Sequence, residues 1–435
     1  MNLILWIDKF KPGEVKRSGW IAFQLGLFLL ASSAALSVIS FLISLTLGMN
    51  KRRDSYWSDA WNYPLVLVSI LMILSCVQSY SGWLSWLGLA NWLPFFWIFW
   101  GFQPYLKTSA ARRKSAICLI MGSIPVLVTG FGQMFFDWNG PWELFDGLII
   151  WHITPGGFPA GRLSGLFDYA NIAAAWLALV YPFSLAVLLQ PGIYFREKLF
   201  AFIYLVSIVG ALMLTQSRNG WAALSIPIPF VIGSASWFWL VPILILVSLP
   251  FAFVVLPGVP IDLKEFGQAI VPEKIWSRLN DSQFASTRPN SLTRLTQWRL
   301  AAELISDRPW LGWGAASFSI LYYIRFVNMI GHSHNLFFDL SVSHGLPVAI
   351  LLIGTVLFLL LKTLRIGALS SKSIGREDSN YRIFNRAWWS ATLILIFFHA
   401  TDMPMFDSRI NILGWVLLAG LRCFLKPLNK PFSNV

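Results

Sequence analysis

The sequence predicts an all-α polytopic membrane protein with about 12 transmembrane helices. Three observations carry that expectation. Hydrophobic residues make up 56% of the 435-residue chain and charged residues only 12%, against about 25% charged in ordinary globular domains. A soluble fold of this size could not cover its surface with so few charges. The apolar residues fall in runs of roughly the 20 residues that cross ~30 Å of hydrocarbon as a helix, and these runs carry no polar stripe. Many have Trp near their ends, as interfacial belts do. The apolar content also excludes disorder, and evenly spaced alternating strands, the barrel signature, are absent. No internal repeat is visible.

In chain order, residues 1–19 form a basic cytoplasmic segment with Lys9, Lys11, Lys16 and Arg17. The first apolar run, 20–49, contains Ala31, Ser32, Ser33 and Ala34, which a signal peptide could use for cleavage. It continues to Met49, which favours an uncleaved anchor. Basic residues flank it on both sides, at the N-terminus and at Lys51–Arg53. Both flanks read as cytoplasmic by the positive-inside rule, so the run is expected to split near Ala31–Ala35 into a short hairpin. Further spans are expected at 63–79, 83–106, 115–136, 170–190, 197–216, 219–235, 237–257, 345–364, 387–401 and 410–425. This divides the chain into an N-terminal bundle (20–257), a large external loop (258–344) with a helix at about 291–306, C-terminal membrane helices (345–426) and a cytoplasmic tail (427–435).

That orientation explains the net charge of +13. Cytoplasmic segments hold 22 Lys+Arg against 7 Asp+Glu, and external ones 11 against 13. The basic excess is therefore a topology signal, and no nucleic-acid partner is required. Cys76, Cys118 and Cys423 lie in apolar runs and read as small buried hydrophobes rather than disulfides.

The external segments carry the candidate chemistry. Arg218 sits in the turn Thr215–Gly220 between two apolar runs, where an Arg is also a common interfacial anchor. Arg162 is the basic residue of the 137–169 loop, and Asp168 or Asn171 reads there as a helix N-cap. In the long loop, Arg294 and Trp298 are four apart on the expected helix, a spacing that allows a purely structural cation–aromatic pair. The apolar face of that helix is expected at Leu292, Leu295, Ala302 and Leu304 or Ile305. Gly312-Trp313-Gly314 reads as a turn. His332-Ser333-His334-Asn335 follows, and Asp402, Asp407 and Arg409 lie in the last external turn. His-x-His with no Cys or nearby third His argues against a closed metal site. There is no Walker A pattern and no D-x-D carboxylate pair, so a diphosphate handled here would be held by Arg.

Four pieces in order carry a resemblance. They are Arg162, Ser164, Gly165 and Asn171 at the start of a span, and Ser217, Arg218, Gly220 and Trp221 in a turn. The third is Arg294, Trp298, Asp307, Pro309, Trp310, Leu311, Gly312, Gly314, Phe318 and Tyr322. The last is His332, His334, Asn335, Leu336, Phe337, Gly345 and Leu346. The set resembles the O-antigen ligase / O-antigen polymerase superfamily of membrane glycosyltransferases across most of 60–425. Pro347–Val348 and His344 depart from the family's common pattern.

The resemblance implies a type C glycosyltransferase-like helical bundle in a bacterial inner membrane, with a large outer loop over a cavity; the positive-inside orientation above puts both termini in the cytoplasm. The resemblance also implies transfer of a glycan from a polyprenyl diphosphate carrier to a glycan, lipid or protein hydroxyl, with no metal or other cofactor. On that reading Arg218 and His334 are the catalytic candidates, Arg218, Arg162 and Arg294 hold the diphosphate, and His332, Asn335, Asp402, Asp407 and Arg409 are secondary candidates. Alternatives are a repeat-unit polymerase, an inorganic-carbon (bicarbonate) transporter, and a non-catalytic scaffold.

Overall fold

The computed structural model describes residues 15–49, 55–279, 289–369 and 379–425. It is 75% helical with nearly no sheet, an all-α membrane protein. In chain order the helices begin with α1 (Arg17–Leu29) and α2 (Ala34–Met49), separated by a turn at 30–33. Next come α3 (Asn62–Val77), α4 (Trp83–Gly88), α5 (Leu93–Gly101), α6 (Gln103–Leu106), α7 (Ser109–Gly122) and α8 (Ile124–Phe135). A two-stranded antiparallel hairpin follows, β1 (Trp142–Leu144) with β2 (Ile149–Trp151), pairing Trp142 with Trp151. Then come α9 (Ala170–Leu189), α10 (Phe195–Leu214), α11 (Arg218–Ser225), α12 (Pro227–Ile232) and α13 (Trp237–Val255). The long loop contains α14 (Ile261–Ile270), α15 (Glu273–Leu279), α16 (Arg294–Asp307), α17 (Ser317–Phe326) and α18 (Leu336–His344). The chain closes with α19 (Leu346–Gly367), α20 (Ser379–Thr401) and α21 (Ser408–Arg422).

Among the described residues, six helical stretches are long and apolar enough to cross a membrane: Ser109–Phe135, Ala170–Leu189, Phe195–Leu214, Ser234–Val255, Leu346–Gly367 and Ser408–Leu425. Shorter apolar helices occupy Ala34–Gly48 and Asn62–Val77. Two runs read as single spans from the sequence are broken. The 83–106 run divides into α4, α5 and α6, with Pro94 and Pro104 in the first turns of α5 and α6. The 219–235 run divides into α11 and α12, with Pro227 opening α12. Each Pro lacks an N–H and cannot continue the preceding helix, but fits at a helix start.

Helix α9 lies inside the bundle. It is buried almost all round from Ala170 to Ala186, as expected of a helix inside a bundle, and it packs against α10 and α20. Small residues such as Ala173, Ala174, Ala175 and Ala178 let neighbouring backbones approach. Helix α13 is the opposite case. Phe238 is 92% exposed and Leu246 67%, the surface expected of a helix facing lipid.

The apolar face of α16 differs from the sequence expectation. Leu295 and Ala302 are exposed, and the buried residues are Gln297, Leu300, Ala301, Leu304 and Ile305. These follow the i, i+3, i+4, i+7, i+8 helical stripe, but the stripe includes a polar Gln that apolar counting skips.

Candidate active site at one end of the bundle

Chain direction places the candidate residues together. Helices α10 and α20 end, and α9, α19 and α21 begin, at the end of the bundle that holds the 215–218 turn and Asp402. The opposite end holds a structural network. There the Arg112 guanidinium donates to Asn385 at 2.9 and 3.2 Å, and Arg422 pairs with Asp59 at 2.9 Å.

Asp402, one residue past α20, is the centre of the site. Its Oδ1 lies 2.9 Å from Nδ1 of His334 and accepts from the Met403 N–H at 2.9 Å. Its Oδ2 accepts from Asn171 Nδ2 at 3.2 Å and lies 3.6 Å from Arg294 Nη2. Burial by itself pushes this carboxyl up. The hydrogen bond and charge of His334, the Arg294 guanidinium and the Met403 N–H outweigh it and hold the group at about 2, so Asp402 is an anion.

Arg162 joins through Asn171. Its Nη2 donates to Asn171 Oδ1 at 2.6 Å and its Nε to the Thr215 carbonyl at 2.8 Å. Backbone stitching sets this position: Leu163 N–H donates to the Leu214 carbonyl at 3.0 Å, and Gln216 Nε2 to the Gly161 carbonyl at 3.0 Å. Gly157, at φ +76°, lies against the Arg162 carbonyl where a Cβ has no room. Arg218 opens α11 directly after its N-cap Ser217. Burial lowers the Arg162 pKa; Tyr169 and Asp402 oppose that, and the like charge of Arg218 adds to it. Arg218 therefore lies near enough for its charge to act on Arg162.

His334 is held from several sides. Its backbone is left-handed at φ 54°, and its N–H donates to His332 Nδ1 at 3.2 Å. Asn335 is the N-cap of α18, accepting from Phe338 N–H at 3.1 Å, while its Nδ2 donates to the Ala400 carbonyl at 2.7 Å. The Trp298 indole donates to the Ser333 carbonyl at 2.9 Å. The His332 ring stacks on Phe406. Burial, with the His334 and Arg294 charges adding to it against Asp402, lowers the His332 pKa to about 4. The glycines of 312–314 do more than turn the chain. Trp313 and Gly314 N–H groups donate to Val342 and Ser343 carbonyls at 2.7 and 2.8 Å, clamping the end of α18.

The remaining candidates separate. Asp407 caps α21 and pairs with Arg409 at 2.5 Å, and Arg409 also donates to the Leu166 carbonyl at 2.8 Å. They tie the last turn to the 166 segment and do not reach Asp402. Neither Asp168 nor Asn171 is the N-cap of α9: Tyr169 holds that position, with no side-chain cap hydrogen bond. The Asn171 amide instead bridges Arg162 and Asp402. In the sequence Asn171 stands in a motif without a site role, because a polar residue at a span start reads as a cap.

His332, His334 and Asp402 bring three possible ligand atoms within 4.8 Å of one another. The direct His334–Asp402 hydrogen bond already occupies two of these groups, and the adjacent guanidinium of Arg294 repels a dication. The cationic surroundings suit an anion better.

Beside Asn335 and Ala400 a cavity of about 300 Å³ opens between α19, α20 and α21. Its walls include Leu352, Ile353, Val356, Leu395, Ile396 and Leu418, all apolar.

The fold and site thus define a polytopic α-helical membrane protein with a cationic, histidine-bearing centre at one end and a hydrocarbon-lined cavity next to it. The family model described as O-antigen ligase matches residues 202–353, which supports the O-antigen ligase superfamily. The matched region contains Arg218, Arg294, His332, His334 and Asn335, while Arg162 and Asp402 lie outside it. No curated protein matches the chain.

Proposed function

We propose that this protein is an O-antigen ligase-like glycosyltransferase that moves a glycan from a polyprenyl diphosphate carrier to an acceptor hydroxyl at the external face of a bacterial inner membrane. The observation that carries the reading is the convergence of His334 and Arg294 on Asp402, with Arg162 joined through Asn171.

The chemistry follows from the geometry. With Nδ1–H donating to Asp402, His334 keeps a lone pair on Nε2. That nitrogen takes the proton as the acceptor oxygen forms its bond to C1 of the donor sugar. The bond from C1 to the diphosphate oxygen breaks, its electron pair leaves with the polyprenyl diphosphate, and Arg218, Arg162 and Arg294 stabilise the negative charge there. Guanidinium groups suit this role because they stay ionised and bind phosphate through paired hydrogen bonds. Preorganised charge of this kind is worth roughly 3–4 kcal/mol per donor in a water-excluded site. Asp402 holds the imidazole in the required tautomer and balances its charge once protonated. The apolar cavity beside Asn335 gives the carrier's hydrocarbon a place next to the diphosphate.

The test is glycan analysis of a deletion strain complemented with variants. Arg218→Ala and His334→Ala are expected to insert normally yet leave long glycan chains on the polyprenyl carrier. Full restoration of surface glycan by both variants would refute the site. Single repeat units reaching the surface of the deletion strain would replace ligation with repeat-unit polymerisation.

A further inference from the structure

The site above accounts for the anionic half of a glycan donor but not for the sugars. A second cavity of about 300 Å³ lies among the α1–α2 turn, the β2 strand, the 166–168 segment and Arg409. The Trp151 indole closes one side and is fixed there by donating to the Ser32 carbonyl at 2.9 Å. His152 and Asp168 are exposed residues of its lining, and Ser32 and Ser33 line it beside Trp151.

Its chemistry differs from that of the Asp402 site. Arg409 lies 4.0 Å over the Phe167 ring, and both Asp407 oxygens accept from it, Oδ2 at 2.5 Å and Oδ1 at 2.9 Å. Its charge is therefore balanced by Asp407, and Asp168 adds a carboxylate. The cavity does not concentrate positive charge as the Arg162–Arg218–Arg294 region does, and so is unsuited to phosphate. An aromatic wall for C–H faces, with a few placed donors and acceptors for hydroxyls, matches an uncharged pyranose.

Two wall residues share segments with the reaction centre. Asp168 lies three residues before Asn171, which binds Asp402. Arg409 is on the segment that follows Asp402. We propose that this cavity is a carbohydrate subsite that holds an uncharged sugar unit of a glycan substrate. The proposal rests on the glycan-transfer reading, and the sugar can come from the donor or the acceptor chain.

Saturation-transfer NMR on the full-length protein in lipid nanodiscs tests it, with a panel of methyl glycosides of glucose, galactose, mannose and N-acetylglucosamine. At least one glycoside is expected to bind, about tenfold more weakly in Asp168→Asn, the order expected for loss of a hydrogen bond to a charged group. Trp151→Phe is expected to weaken it too, and Arg218→Ala to leave it unchanged. No binding, or binding indifferent to both cavity variants, overturns the proposal; so does displacement of the glycoside by inorganic phosphate. Steady-state transfer then separates the sources: a raised KM for acceptor in Asp168→Asn assigns the sugar to the acceptor, and a raised KM for donor assigns it to the donor. Unchanged KM for both overturns the subsite. The two readings fail separately. Arg218→Ala with full transfer but cavity-dependent glycoside binding sinks the Asp402 site alone, and the reverse pattern sinks the cavity alone.

Discussion

Asp402→Asn is the sharpest perturbation of the site, because the side chain keeps its size while losing its charge. In the native protein Asp402 accepts from His334 Nδ1 at 2.9 Å, from Met403 N–H at 2.9 Å and from Asn171 at 3.2 Å, and faces Arg294 at 3.6 Å. An amide in its place can turn its NH₂ toward His334. That favours the tautomer with the proton on Nε2, and the base is lost. It also leaves Arg294 without its carboxylate and the protonated imidazole without a counter-charge. General base catalysis contributes about 10²- to 10⁴-fold, so kcat is expected to fall by that order. The donor diphosphate is held mainly by the arginines, so KM for donor should change little. The assay is transfer by purified protein in nanodiscs from a polyprenyl diphosphate-linked glycan. A kcat within a few-fold of wild type, with Asp402→Asn folded, would refute the role of this carboxylate.

Three further outcomes follow from particular contacts. His332 is held at about 4, below its ordinary value near 6.5, so its neutral form favours the folded state. That stability is present above about pH 6.5 and is lost as pH falls toward 4; thermal unfolding should show His332→Gln losing part of this acid sensitivity. Asp59→Ala removes the buried carboxylate paired with the largely covered Arg422 guanidinium at 2.9 Å. Breaking one side of a buried pair costs about 3–5 kcal/mol, so the variant should melt lower in detergent, and an unchanged Tm would contradict the pairing. Chelation with EDTA should leave transfer intact; loss of activity restored by a dication would make His332, His334 and Asp402 metal ligands.

Much of the candidate site is legible in the chain because Arg and His are conspicuous in the expected external segments of an apolar protein. Arg162, Arg218, Arg294 and His334 were readable in that way. Their relations were not. Asp402 looked like one more acidic residue at a helix boundary, and Asn171 looked like a cap. Asp407 and Arg409 had the same appearance as Asp402, yet they pair with each other. Residue type and position relative to a span cannot separate these cases, since the separating contact lies far away in the chain. The breaks at Pro94, Pro104 and Pro227 were legible in principle, but hydropathy averages over them.

Composition and periodicity by themselves determined that lipid is the solvent and that the backbone is helical. Within a bilayer, helices satisfy their own backbone hydrogen bonds locally, so the information needed is local too. Tertiary structure alone decided that Asp402 is the hub, joined to His334 across 68 residues and to Asn171 across 231. A buried carboxylate stays ionised only where donors and opposite charges from separate segments converge on it, and that convergence exists only once α9, α16, α18 and α20 are packed.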